Sequence, residues 1–574
     1  MPLHNEDIAA VFDEIADLLE IEGDNPFRIR AYHNGARTLR ELGRDVRTLV
    51  DQGADLTRLA GIGKNLASKI QEIIDTGHCS TLDKLRRQLP ADLTHLLKLP
   101  GLGPKRVHAL YHELDIHTDE QLERAARDGL IRQLPGFGEK TEARILEALQ
   151  MHADSSRRFR LAVATGYAET LLAYIRSARG VEKVEVAGSY RRAKETVGDL
   201  DILVTAADGR SVIEYFIAYD EVVTVSSHGS TRATVILRSG LQVDLRVVPE
   251  ESYGAALYYF TGSRAHNIAV RRIAQKRGLK LNEYGIFRGK QRIAGGSEQE
   301  MFKALGLPYI PPELRENRGE IEAAHAGLLP ELVELADLRG DLHAHTRASD
   351  GHESLRGMAD AAAERGLEYL AITEHSKRLT VAHGLDSKRL LAQVEAIDEY
   401  NAGHHAVTLL KGVEVDILED GGLDLPDAVL EKLDLVIGAV HSRFELSRAR
   451  QTRRILQAMD NPFFTLLAHP SGRLIERRAP YDVDMPRIIR HARERGCYLE
   501  LNANPERLDL LDTHCQLARE EGVLVSINSD AHSALDFDNL RYGVGQARRG
   551  WLEKPDVLNT RKLPALRKLL AATR

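Results

Sequence analysis

The sequence predicts a multidomain chain: an all-α N-terminal region, a mixed α+β unit, and a C-terminal α/β barrel of about seven strands. Three observations lead to this. The first 150 residues hold three similar glycine turns set among helix-forming sequence. From about Phe159, short β-branched runs alternate with helical ones. Beyond Asp337, strand and helix alternate regularly, with polar residues gathered at strand ends. At 574 residues, with one domain per roughly 150, about four domains are allowed.

The apolar fraction of 43% and charged fraction of 28% are those of soluble globular protein, and no run reaches the roughly 18 apolar residues of a membrane span. The first residues show no basic stretch followed by an apolar core, so a cytoplasmic protein is expected. Cys79, Cys497 and Cys515 are far apart and lack CxxC spacing, which argues against a disulfide framework and against thiolate zinc. Any metal must therefore be held by His, Asp and Glu. A net charge of -7 gives no bulk attraction to nucleic acid, but local basic patches can still grip phosphates.

The N-terminal turns read "LAGIGKNLASKI" from Leu59, "LPGLGPKRVHAL" from Leu99 and "LPGFGEKTEARI" from Leu134. In such a helix-hairpin-helix the glycines, here Gly61 and Gly63, Gly101 and Gly103, and Gly136 and Gly138, allow the turn and close backbone approach. The N–H groups that open the next helix then face an anion. With Lys64, Lys69, Lys105 and Arg106 just after the turns, the expected guest is a DNA phosphate, gripped without regard to sequence.

In the α+β unit, "VEKVEVAGSY", "DLDILVTA", "ATVILRSG" and "LQVDLRVVP" read as strands. Side chains two apart on a strand share a face, so Asp199 and Asp201 project together, and Asp244 on a neighbouring strand can complete a cluster. Three carboxylates on one face repel unless divalent cations lie between them. Two Mg²⁺ or Mn²⁺ ions there suit in-line phosphoryl transfer. Gly188 and Ser189 stand at a strand-to-turn junction fit for a triphosphate, and Arg192 adds charge to that grip.

At these residues the chain resembles the family X DNA polymerases, whose palm carries a GS pair, then GDxD, then a third aspartate. "YYFTGSRAHN" and "LNEYGIF" extend the likeness. The resemblance implies that Asp199, Asp201 and Asp244 are catalytic metal ligands and that Gly188, Ser189 and Arg192 bind an incoming deoxynucleoside triphosphate. It further implies that Tyr259, Phe260 and Gly262 wall the sugar and that Asn267 contacts the base, with Arg246 near the metals and Arg271 near the template. Lys69 occupies the place of a Schiff-base lysine in lyase-active members. It can act as a lyase nucleophile or simply bind a 5'-phosphate, and Asn65 stands where another lysine is common.

In the barrel, metal-binding residue types recur at nearly every strand end: His343, His345, Asp350, His375, Glu414, His441, His469, Asp530 and His532. Strand C-termini of a βα barrel converge in space, so these nine positions predict one site. Imidazole mixed with carboxylate suits Mn²⁺, Zn²⁺ or Fe²⁺, and nine ligands are too many for one tetrahedral ion, so two or three are expected, with Glu414 as the bridge. "DLHAHT", "ITEHS", "GVEVDI", "AVHS", "AHP" and "SDAH" resemble the polymerase and histidinol phosphatase (PHP) domain. Glu374 stands where aspartate is commoner and is not assigned as a ligand.

Together the resemblances imply an 8 kDa-like helical domain over 1–80, helix-hairpin-helix fingers over 81–152, a nucleotidyltransferase palm over 153–255 and a thumb over 256–316. A linker over 317–337 then leads to a PHP domain over 338–574, and the stretch "LPYIPPELRENRGE" from Leu307 is expected to permit transfer of a primer end between sites. They imply a monomeric repair polymerase acting on gapped or primer-template DNA with deoxynucleoside triphosphates. A metal-dependent 3'-5' exonuclease is implied too, with abasic-site endonuclease or 3'-phosphatase action as further outlets. GS with DxD also marks transferases acting on small molecules or RNA ends, but those need no backbone-gripping hairpins. A DNA-binding scaffold with inactive domains is opposed by the intact acids and histidines.

Overall fold

The computed structural model describes residues 5–41, 46–59, 61–88, 96, 102, 104–134, 136–138, 141–143, 145–146, 158–403 and 405–573. Its N-terminal region is helical, built on Asn5–Ile21, Pro26–Glu41, Lys64–Thr76, Ser80–Gln88, Pro104–Leu114 and Asp119–Arg127 among others. One apolar cluster, from Phe12 and Leu18 through Ile70 to Leu110, Leu122 and Ile131, runs across both expected helical domains. Helix ends are set by local chemistry. Gly77, left-handed at φ 76°, ends Lys64–Thr76, and Thr118 with Gln121 closes a capping box on Asp119–Arg127.

The palm is a five-stranded sheet in the spatial order Val181–Val186, Asp199–Ala206, Gln242–Val248, Arg232–Leu237, Val222–His228. The strands Asp199–Ala206 and Gln242–Val248 run parallel, and their register sets Asp201 directly opposite Asp244. Helices Leu161–Arg176 and Gly209–Ile217 cover the sheet through Leu171, Ile175, Val212 and Phe216. The edge strand Val222–His228, absent from the sequence expectation, is exposed along nearly its whole length.

The thumb combines helices Tyr253–Thr261 and Arg264–Lys276 with a three-stranded sheet of Lys280–Asn282, Gly285–Arg288 and Gln291–Ala294. Its core includes Tyr258, Ile286 and Phe302. Palm and thumb are tied by the buried Glu298, which accepts from Arg191 Nη2 at 2.8 Å and Arg315 Nη1 at 2.6 Å.

The segment 317–337 is packed rather than extended. It contains the helix Glu320–Ala326, whose fully buried Glu320 meets His266 Nδ1 at 2.7 Å, and Val333 N donates to the Leu552 carbonyl.

The C-terminal domain has seven parallel strands, adjacent in space in the order of the sequence: Gly340–Ala344, Tyr369–Ile372, Thr408–Asp416, Leu435–Ala439, Leu466–Leu467, Tyr498–Asn502 and Val525–Asn528. The last returns toward the first. His345 N donates to the Ala531 carbonyl at 2.8 Å, so the barrel is nearly closed. Period-two alternation divides the strand residues. Leu342, Ala371, Leu410 and Ile437 pack with Leu558 and Leu566, while Leu370, Ile372, Leu409 and Ile527 join the cluster shared with the outer helices. The barrel also packs on the polymerase-like half: Leu508 and Tyr542 enter the palm core, Trp551 enters the thumb core, and Arg473 meets Glu195 at 2.7 Å.

Candidate active sites

The first site lies at the start of the two parallel palm strands. Asp199, Asp201 and Asp244 each offer a carboxylate oxygen within 4.8 Å of the others. Asp244 is oriented by Thr234 Oγ1 at 2.5 Å and Gln242 Nε2 at 2.8 Å. Burial, then the charges of Asp199 and Asp244, pushes Asp201 up to about 7. Burial and Asp244 raise Asp199 too. A cluster that resists its own ionisation is one a divalent cation relieves, so the carboxylates present fit a metal.

Gly188, at φ 63°, sits against this cluster: a Cβ there would lie 2.6 Å from Asp201 Oδ2. The GS turn can approach the acids only because residue 188 has no side chain. Ser189 lies in the short helix Gly188–Arg191 that follows. Arg192 donates from Nε to Glu316 at 3.0 Å and from Nη1 to the Thr261 carbonyl, and a Cβ on Gly262 would meet that Nη1 at 3.2 Å. Tyr259 and Phe260 end the helix Tyr253–Thr261. The Arg246 guanidinium lies 4.3 Å over the Phe260 ring and the Arg271 guanidinium 5.9 Å over the Tyr259 ring. Asn267 donates to the Tyr259 carbonyl at 2.7 Å, and its Oδ1 is buried with no hydrogen bond.

The second site is the open end of the barrel, where all nine expected side chains gather. Three ligand groups share members: His345, Asp350, His375 and His532; His343, His345 and Asp530; His375, Glu414 and His441. Glu414 joins them. Its Oε2 lies 2.7 Å from His375 Nδ1 and 3.5 Å from His343 Nε2, and its Oε1 lies 2.9 Å from His469 Nε2 and 3.3 Å from His441 Nε2. Asp530 Oδ1 lies 3.3 Å from His345 Nε2, and Asp350 Oδ2 3.3 Å from His375 Nε2.

Several of these atoms are buried yet make no hydrogen bond: His343 Nε2, both nitrogens of His345, His375 Nδ1 and Glu414 Oε2. Lone pairs that crowd together without hydrogen-bond geometry fit shared cations. Charge tells the same story. Burial opposes it, but Glu414 and Asp350 raise His375 to about 10, so in the absence of a metal a proton on His375 offsets the charge of these acids. His469 and Asp530 adopt positive φ of 27° and 55°, backbone strain of the kind held at functional sites.

Outer partners that the sequence reading missed orient these ligands. His343 Nδ1 meets Glu500 Oε1 at 2.7 Å, and His441 Nδ1 meets Asp416 Oδ1 at 2.8 Å. The available signal was an acid inside an otherwise apolar strand, "YLELN" and "GVEVD". Glu374 belongs to none of the ligand groups and accepts from the Thr346 and Ser349 hydroxyls and from Gln393 Nε2.

Residues 165–257 match the DNA polymerase beta palm family and 256–316 the DNA polymerase beta thumb. Residues 3–79 match a helix-hairpin-helix domain, 93–151 a SAM-like helix-hairpin-helix tandem and 341–504 the PHP domain. A DNA polymerase/3'-5' exonuclease PolX of Bacillus subtilis (strain 168) is 41% identical over 569 residues, 98% of either chain. The chain belongs to the family X DNA polymerases that carry a PHP domain. DNA polymerase lambda of Rattus norvegicus is 23% identical over 54% of this polymerase and 56% of its own length. A probable phosphatase of Thermoanaerobacter sp. (strain X514) is 30% identical over 38% of this polymerase and 89% of its own length.

Two of the polymerase's hairpins are described, and they share one geometry. Gly61 and Gly136 have φ of 80° and 82°, and the following residues, Ile62 and Phe137, both donate to the residue three back at 3.1 Å. Gly63 and Gly138 then accept from the opening of the next helical turn, Gly63 from Ala67 and Gly138 from Thr141 and Glu142. Gly101, Gly103 and the side chain of Lys105 lie outside the described residues. Arg106 reaches across to the third hairpin, its guanidinium 5.6 Å over the Phe137 ring. Lys64 opens the helix Lys64–Thr76, while Lys69 donates to the Thr81 hydroxyl and borders a cavity of about 250 Å³ with Arg28, Tyr32 and Asn65. No helix among the described residues is long and apolar enough to cross a membrane.

Proposed function

We propose that this family X polymerase fills short gaps in DNA from its palm and trims 3' ends in its barrel, as a monomer in the cytoplasm. The observation that carries the reading is the presence, on one chain, of a three-carboxylate cluster behind a glycine turn and a second cluster of histidines and acids built from the ends of six of the seven barrel strands. In the palm, Asp199, Asp201 and Asp244 hold Mg²⁺ or Mn²⁺. Gly188, Ser189 and Arg192 bind the triphosphate, Tyr259, Phe260 and Gly262 bound the sugar, and Asn267 meets the base. Bound there, two ions supply activation of the primer 3'-hydroxyl and neutralisation of the leaving pyrophosphate.

In the barrel, the nine ligands hold two or three Mn²⁺, Zn²⁺ or Fe²⁺ ions, which when bound polarise a phosphoester and activate water. Glu414, which approaches four of the histidines, would be shared among the ions, while Glu500 and Asp416 fix the tautomers of His343 and His441 by accepting their Nδ1 protons in hydrogen bonds. The hairpins with Lys64, Lys69, Lys105 and Arg106 grip the DNA backbone. The cavity beside Lys69 and Arg28 suits a 5'-phosphate.

A labelled primer in a one-nucleotide-gapped duplex tests this, with Mn²⁺ and with or without deoxynucleotides. Extension with them and shortening without them is expected; a primer unchanged in both lanes refutes the reading. The barrel's likeness to a probable phosphatase favours 3'-phosphate removal as a second outlet, read as conversion of a blocked 3'-phosphate primer to an extendable one. Borohydride trapping at an abasic site, lost in Lys69→Ala, would assign lyase chemistry to that lysine.

A further inference from the structure

The barrel contacts the nucleotide grip directly. Arg549, at the end of the barrel helix Leu540–Arg549 and 2% exposed, donates from Nη1 both to Glu316 Oε1 and to the backbone carbonyl of Arg192, each at 2.9 Å. Glu316 in turn takes the Nε edge of Arg192 at 3.0 Å. Arg549 Nη2 is anchored on Asp512 at 2.7 Å, and Asp512 also takes Arg318 at 2.9 Å. A Cβ on Gly545 of the same helix would lie 3.1 Å from Ala193, so the barrel seats squarely on residues 192–193.

Two of the Arg192 guanidinium's nitrogens and its backbone carbonyl are therefore engaged before any nucleotide arrives. Nε is on Glu316, Nη1 is on the Thr261 carbonyl, and the backbone carbonyl of Arg192 is on Arg549, while Nη2 makes no hydrogen bond among the described residues. We infer that Arg549 is a positioning residue for synthesis: through Glu316 it fixes the Arg192 fork so that the Nη2 edge faces the incoming triphosphate. This rests on Arg192 being part of that grip.

Simple adhesion between domains explains the arrangement less well. A buried ionic network is rarely worth more to stability than apolar residues of the same volume, and its strength lies in fixing geometry. Arg549 and Arg192 also hold Glu316 at about 2, so it stays ionised and keeps its hold on Arg192 throughout the working pH range, although burial alone would favour the protonated form. Asp512 is held well below the usual carboxylate range by Arg318 and Arg549 against its own burial. The polymerase grip is thus completed by a side chain 357 positions along the chain.

The test uses the full-length protein on a gapped duplex, measuring KM for the nucleotide and kcat for Arg192→Ala and for Arg549→Met, Arg549→Lys and Glu316→Gln, each of these three also combined with Arg192→Ala. Losing a charge-assisted contact in the chain to Arg192 should raise KM about tenfold in Arg549→Met with little change in kcat. Arg549→Lys should recover part of the loss, and Arg549→Met should add nothing in the Arg192→Ala background. Excision without nucleotides should match wild type. If Arg192→Ala raises KM while Arg549→Met and Glu316→Gln do not, or if the effects simply add, the positioning role is overturned and the grip stands. If Arg192→Ala leaves KM unchanged, the grip reading itself falls and takes this inference with it. Should Arg549→Met fail to fold, the near-isosteric Glu316→Gln carries the same comparison.

Discussion

Gly188→Ala isolates what the glycine turn does for synthesis. The added methyl would stand 2.6 Å from Asp201 Oδ2, against 3.4 Å or more in ordinary contact. The carboxylate must therefore retreat by roughly 0.8 Å, because the turn is pinned from the other side, with Ala187 N on the Asp201 carbonyl at 2.7 Å. Misplacing a reacting group by about 1 Å costs on the order of 100-fold in rate. Holding alanine at φ 63° adds about 1 kcal/mol of backbone strain, enough to lower a urea midpoint slightly without unfolding the palm. Single-nucleotide gap filling should accordingly fall about 100-fold in kcat, while excision of the same primer without nucleotides stays at the wild-type rate. Extension by Gly188→Ala at near wild-type rate would show that the Asp201 carboxylate need not sit where the turn places it, and the palm assignment would lose its geometry.

Asp201→Ala should abolish extension and spare excision, and His343→Ala should do the reverse, both read on one gapped substrate; loss of both activities in either variant would contradict two independent sites. Glu298→Ala leaves the fully buried Arg315 and the mostly buried Arg191 without their shared partner, which should cost about 3–5 kcal/mol in urea denaturation, and an unchanged midpoint would refute the ionic tie between palm and thumb. In chelator, the fold favours the protonated form of Asp201, whose value rises from 3.8 to about 7, so ionising it costs about 4 kcal/mol at pH 8 and almost nothing below pH 4. Asp201→Asn should then be the more stable protein at pH 8, with the difference shrinking as pH falls toward 4. Equal midpoints for the two proteins at pH 8 would refute that cost.

The palm acids and barrel ligands were legible because each motif sits on a strand whose period of two dictates the face, and because barrel strands converge whatever their separation in sequence. What escaped has physical reasons. Val222–His228 buries almost nothing, so it carries no apolar alternation, and the thumb strands Lys280–Asn282, Gly285–Arg288 and Gln291–Ala294 are too short for any period to register. Glu500 and Asp416 look like ordinary strand polars until His343 and His441 are placed beside them. The region 317–337 reads as a tether from its charge and proline-bearing approach, yet Glu320 and Val333 fasten it to the thumb and the barrel. Such pairings across long separations leave no trace in local pattern.

Because the barrel strands follow one another around the ring in chain order, the members of its histidine and carboxylate cluster are made in sequence, and the first of them must wait for the last. His343 and His345 leave the ribosome some 190 residues before Asp530 and His532, yet share ligand groups with them. A growing or truncated chain ending short of residue 532 has an unfinished histidine cluster, and it lacks Tyr542 of the palm core and Arg549 on the Arg192 carbonyl as well. During biosynthesis, then, neither half is complete until the barrel's late helix Leu540–Arg549 is made, and a product terminated before it lacks contacts that both halves use.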